Sequence, residues 1–130
     1  MSEPKEPGWH SRGFPRPDQN WFRMPNEFPN MVAKLAREQS LAEAVVLLYV
    51  LRHTWGYSEY DEPKHITMDE FLGGRKYKNG SRMDQGTGLS ERAIRIALGR
   101  LVERGLLLVE KDERDRARIK KSYHIRIIGE

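Results

Sequence analysis

No cysteine occurs in the 130-residue chain, which removes disulfide staples and thiolate metal sites and points to a reducing, cytoplasmic setting. Histidine is scarce as well. His10, His53, His65 and His124 lie too far apart in sequence to make a metal-ligand pair such as H-x-x-x-H, so no metal or other cofactor is expected. Long apolar runs are missing: the longest, Ala44 to Leu51, falls far short of the roughly 20 residues that cross a bilayer, and no signal peptide opens the chain. A membrane is therefore not an expected partner. The sequence also lacks G-x-x-x-x-G-K-[ST], G-x-S-x-G and H-E-x-x-H, which argues against an enzyme and against a small-molecule substrate. Gly86-Thr87-Gly88 reads as turn chemistry, Asp61-Glu62 as loop, and Asp69-Glu70 as the first turn of a helix, where acids suit the helix dipole.

What is present is charge, unevenly placed. Charged residues make up 32% and hydrophobic residues 38%, enough for one domain with a modest core. Residues 1–73 carry 8 Lys+Arg against 11 Asp+Glu, whereas residues 74–126 carry 15 against 7. A mildly acidic half joined to a strongly basic one suggests a polyanion-binding face rather than a generally basic surface.

The first twenty residues hold Pro4, Pro7, Pro15 and Pro17 among glycines and charges of both signs, and read as a disordered arm over 1–20. A single domain then spans 21–130. Phe28, Met31, Val32 and Leu35 fall at helical spacing behind Asn26 and Pro29, predicting a helix over 27–37. Ser40 and Glu43 form a capping-box signature ahead of a helix that ends at Gly56. That second helix is apolar almost all round, which makes it either the buried centre of the domain or the seam of a homodimer. Ile66 supplies a short strand, and Thr67 with Glu70 repeats the capping box before a short helix stopped by Gly73 and Gly74.

A basic loop follows over 74–87, containing Arg75, Lys76, Lys78 and Arg82 around Tyr77. Its length exceeds an ordinary helix-turn-helix turn, and it is expected to order against a DNA backbone. Ser90 caps a periodic helix over 90–104, with Gly105 as its stop. Leu106 to Lys111 reads as a strand, Asp112 to Arg116 as a turn, and Ile119 to Ile127 as a half-buried strand whose alternation is broken only by Lys121. The fold class expected is mostly α with a small β-hairpin: a winged helix-turn-helix with an extra N-terminal helix, its wing over 106–128.

At about 100° per residue, Ile94, Ala97, Leu98, Leu101 and Gly105 cluster on one side of the 90–104 helix, and Arg92, Arg95, Ile96, Gly99 and Glu103 on the other. Arg92 and Arg95 suit guanine edges or phosphates, Ser90 and the free N–H groups of the first turn suit a phosphate, and Ile96 suits a thymine methyl. Gly99 would admit close backbone approach. Arg100 on the same helix, and Lys111, Arg114, Arg116, Arg118, Lys120 and Lys121 on the hairpin, add cations for flanking phosphates. Asp112, Glu113 and Asp115 oppose them, so the wing is expected to position rather than read.

Several stretches carry a resemblance: Met24-Pro25-Asn26-Glu27, Arg52-His53-Thr54-Trp55-Gly56-Tyr57, Ile66-Thr67, Thr87-Gly88-Leu89-Ser90, Ala97-Leu98, and Arg100 to Leu107. Over residues 21 to 111 the chain resembles the N-terminal, origin-binding domain of bacteriophage replication protein O. The resemblance implies a winged helix that binds double-stranded DNA at a replication origin, with replication proteins as further partners. This chain differs from that pattern in the basic insertion between Gly73 and Gly86 and in ending at Glu130 without a loader-recruiting region. A transcriptional regulator, and a winged-helix protein-interaction module without DNA binding, stand as the alternatives.

Overall fold

A computed structural model describes residues 14, 16, 21–60 and 62–127. Apart from Phe14 and Arg16, the arm expected over 1–20 lies outside the described residues.

Helix α1 (Phe28–Arg37) starts with proline in its first turn, where the missing N–H costs nothing, and buries Phe28 and Leu35. Asn26 does not cap it; the cap position is Glu27, without a side-chain hydrogen bond. Helix α2 (Leu41–Thr54) follows after three residues and runs through the middle of the core, with Val46, Leu47, Tyr49, Val50 and Leu51 buried. Burying each such aliphatic side chain contributes roughly 1.5–3 kcal/mol. Leu41 and Leu48 remain exposed, so the apolar circumference is explained by the core except along that one line. Thr54 closes the helix by bonding back to the Val50 carbonyl at 2.9 Å, and a single 3-10 turn (Trp55–Tyr57) carries the chain past Gly56, where the helix was expected to stop.

The expected capping box at Ser40 and Glu43 is not formed. Ser40 makes no cap hydrogen bond, and Glu43 turns inward to 2% exposure because a guanidinium from elsewhere in the chain meets it there. The second capping box is formed. In helix α3 (Met68–Gly73) the Thr67 Oγ1 accepts from the Glu70 N–H at 3.1 Å, and the Glu70 Oε1 accepts from the Thr67 N–H at 2.9 Å.

Helix α4 (Glu91–Glu103) is capped by Ser90, whose Oγ accepts from the Ala93 N–H at 3.2 Å. Its buried residues are Ile94, Ala97 and Leu101, the stripe expected from periodicity, and Gly105 ends it at φ +75°. Strand β1 (Lys64–His65) pairs with β3 (Lys120–Ile125), which pairs with β2 (Leu107–Asp112), giving an antiparallel three-stranded sheet in the order β1-β3-β2. The strand boundaries shift from expectation: Ile66 lies just past β1, Leu106 just ahead of β2 and Ile127 beyond β3. Asp112 is the last residue of β2 rather than the first of the turn, and Ile119 lies outside β3 and is exposed. Phe71 of α3 meets Tyr123 of β3 edge-on at 5.6 Å between ring centroids, which joins the sheet to the helical core. The architecture is thus mixed helical with one small antiparallel sheet, and no helix among the described residues is long and apolar enough to cross a membrane.

Candidate nucleic-acid interface

The site is built from the outer face of α4, the β2–β3 ribbon and the basic segment between α3 and α4. On α4, Arg92, Arg95, Ile96, Gly99 and Arg100 are all exposed, opposite the buried stripe. Ion pairing divides these cations. Arg95 reaches Glu91 one turn back at 3.5 Å, and Arg100 lies 4.0 Å from Glu43, while Arg92 has no acidic partner among the described residues. Arg95 is also close enough to Tyr123 to act on its phenol: burial raises that pKa and the Arg95 charge opposes the rise. The chain passes from α4 through Gly105 directly into the ribbon. A Cβ at Gly99 would meet no atom within 4 Å, so nothing inside the chain requires glycine there.

The register of the ribbon pairs Val109 with Tyr123, Glu110 with Ser122, Lys111 with Lys121 and Asp112 with Lys120. Because side chains alternate along a strand, Lys111 and Lys121 continue the face that carries Val109 and Tyr123, but beyond the point where the core covers it. Lys121 is thus what breaks the alternation seen in the sequence. Two like charges directly opposite each other destabilise a ribbon, and neither lysine has an acidic partner among the described residues. At the tip, Arg114 is held by Asp112 through two contacts of 3.0 and 2.7 Å, and this pairing depresses the Asp112 carboxyl to about 2. The expected pairing of tip acids with neighbouring arginines is present there. Arg116, Arg118 and Lys120 are exposed and make no salt bridge among the described residues, although the Lys120 charge acts on Asp112 across the ribbon.

The basic segment departs from the expectation of a loop that orders on DNA. It closes on itself as a small hairpin: Lys76 bridges Arg82, the Tyr77 N–H donates to the Ser81 carbonyl at 2.8 Å, and the Gly80 N–H donates to the Tyr77 carbonyl at 3.0 Å. Its base is sealed by backbone approach. Gly74 sits at φ +101°, where a Cβ would lie 2.0 Å from the Asp84 carbonyl oxygen, so only glycine fits. Arg75 donates to Glu70 at 2.7 Å, and Arg82 donates to Asp69 at 3.3 Å and to the Gly74 carbonyl. Lys76 and Lys78 are exposed and carry no ion pair among the described residues.

Two buried polar contacts escaped the sequence reading. The Nε2 of His53 meets the Oδ2 of Asp84 at 3.1 Å with both side chains at most 2% exposed, and the Gly86 N–H donates to the other carboxylate oxygen at 2.8 Å. Burial pushes the Asp84 carboxyl up, but His53, the Gly86 N–H and the nearby Tyr49 hydroxyl outweigh it and bring it down to about 2. The second is Arg104, whose Nε donates to the Glu43 Oε1 at 2.6 Å and whose Nη2 donates to the Glu38 Oε1 at 2.9 Å. These partners are 31, 61 and 66 residues apart. The only local signal was a polar residue on the inward side of an apolar helix.

Asp84 gives a pH prediction. Its pKa in the folded chain lies below the unfolded value of about 3.9, so its contribution is complete above that value and is lost as pH falls towards about 2. The gap corresponds to about 2 to 3 kcal/mol. Urea unfolding at pH 5, 3 and 2 should show Asp84→Asn less stable than the parent at pH 5 and nearly equal to it at pH 2. Parallel curves across that range would mean the carboxylate is not preferentially stabilised by folding.

No known protein family, curated protein or solved structure matches the chain. Its function must be argued from the site itself.

Proposed function

We propose that this chain is a winged-helix protein that binds double-stranded DNA, with α4 as the recognition helix and the β2–β3 ribbon as the wing. The order α2, β1, α3, α4, β2, β3 with the sheet order β1-β3-β2 supports this reading, since two helices and a following ribbon form the frame that presents a helix to the major groove. The observation that carries it is that exposed Arg92 on α4 and the facing pair Lys111 and Lys121 on the ribbon have no acidic partner among the described residues. Arg92 and Arg95 near the N-terminal end address base edges or phosphates, Ile96 addresses a thymine methyl, and Arg116, Arg118 and Lys120 address flanking phosphates. Gly99, unconstrained from within, allows the groove wall to approach the helix backbone.

The narrower reading is origin binding, as the resemblance to phage replication protein O implies. Gly56, within the Thr54-Trp55-Gly56-Tyr57 part of that resemblance, approaches Phe22, two residues ahead of Met24: a Cβ at Gly56 would lie 3.9 Å from the Phe22 side chain.

Fluorescence anisotropy with labelled duplexes tests the proposal. Binding in the nanomolar to micromolar range that weakens steeply between about 50 and 200 mM salt is expected. Absence of binding to every duplex at the lower salt would reject it in favour of a protein-docking role. Selection from a random duplex library then separates origin binding from regulation: repeated direct sites fit an origin array, and a palindrome fits a homodimeric regulator.

A further inference from the structure

The four cations of the hairpin between α3 and α4 are not equivalent. Arg75 and Arg82 are tied to Glu70 and Asp69, two acids in the first turn of α3, and Arg75 together with the Thr67 N–H holds the Glu70 carboxyl below its usual range despite burial. Lys76 and Lys78 extend from the same hairpin without an acidic partner among the described residues. The hairpin is stiff. Its turn is closed by Asn79, whose Oδ1 accepts from the Ser81 N–H at 2.9 Å and the Ser81 Oγ at 2.6 Å, and its base is locked where Gly74 meets Asp84. Asp84 in turn is anchored in the core by His53.

We infer that this hairpin is a second, prefolded wing: Arg75 and Arg82 are the posts that fix it to α3, and Lys76 and Lys78 bind the phosphodiester backbone of the duplex flanking α4. The inference rests on the DNA-binding reading above. Position supports it, because the hairpin enters the chain just ahead of α4 while the β2–β3 ribbon leaves just after it. Five residues separate Asp84 from Ser90, a reach of at most about 22 Å, so the hairpin cannot lie far from the N-terminal end of α4. Charge supports it too, since the acids that neutralise the posts leave the two lysines as the segment's only unpaired cations. A prefolded hairpin also loses little conformational freedom when it meets its ligand, so two lysine contacts suffice to raise affinity.

The test compares the parent with Lys76→Ala/Lys78→Ala and with Arg75→Ala/Arg82→Ala, using one long labelled duplex over a salt series and thermal melts of the free proteins. The lysine variant is expected to bind on the order of tenfold more weakly, with a log K against log salt slope shallower by about 2 and an unchanged Tm. The arginine variant is expected to melt earlier while keeping the parent's slope. If the parent binds with steep salt dependence and the lysine variant matches it in affinity and slope, the second wing is rejected and the DNA-binding reading stands. An arginine variant that loses slope at unchanged Tm would reject the division into posts and contacts. A parent that binds no duplex removes the reading beneath both.

Discussion

Arg104→Ala lowers the Tm by on the order of 10 °C, the largest single-residue effect on stability expected in this chain. The cause is the residue left behind. Glu43 is 2% exposed in the first turn of α2, and its carboxylate relies on the 2.6 Å bond from Arg104. Removing the guanidinium strands a buried charge, with Arg100 at 4.0 Å as a distant substitute. Stranding one partner costs far more than deleting both, because a buried ion pair only roughly offsets its own desolvation. Glu43→Leu in the Arg104→Ala background should therefore recover most of the lost Tm. A loss of less than about 2 °C in the single variant would mean that Glu43 reaches water once the guanidinium is gone. Arg104 is also the C-cap residue of α4, and its side chain reaches across to the start of α2.

Residues 91 to 103 show what the sequence could and could not convey. The stripe Ile94, Ala97 and Leu101 was legible because helical period and burial are one fact seen twice, and Ser90 and Gly105 bounded the helix by local backbone chemistry. The same logic found α3 and the ribbon, and set the first strand at Ile66, just past the Lys64–His65 pairing that forms. It failed where the partner is remote. Ser40 and Glu43 fit the capping pattern, yet Glu43 was claimed by an arginine 61 residues away, and no local rule anticipates that competition. His53 on the inward side of α2 could be noticed but not interpreted, because Asp84 meets it only after the hairpin folds back. For the site, the sequence identified which cations exist and which lie outward on α4. Which of them are free required the acids: Asp69 and Glu70 absorb two in the hairpin, and Asp112 absorbs one in the ribbon. The strand alternation marked Lys121 as an irregularity. Only the register, which sets it opposite Lys111, turned that irregularity into a candidate anion site.

Lys111→Ala/Lys121→Ala is expected to move stability and DNA binding in opposite directions, and Arg92→Ala to cause the largest single-residue loss of affinity. The two lysines face each other across the ribbon without a compensating acid among the described residues, so deleting both removes a repulsion and should raise the Tm by about one to a few degrees. On the proposed DNA-binding function the same deletion takes away two phosphate ligands, and is expected to weaken binding to all duplexes alike and to reduce the salt slope by about 2. A lysine pair present only for packing would change stability without touching the slope. Arg92 differs in kind. It stands opposite the buried stripe near the N-terminal end of α4, where a recognition helix meets base edges, and it has no acid to release before it binds. Arg92→Ala should weaken binding to the selected duplex by about 5- to 150-fold while leaving non-specific duplex within a few-fold of the parent. Arg92→Lys should recover the non-specific affinity but not the discrimination, because an ammonium lacks the two-pronged geometry that matches guanine. Equal losses on specific and non-specific duplexes for Arg92→Ala would make Arg92 a phosphate ligand and shift base reading to Arg95 and Ile96.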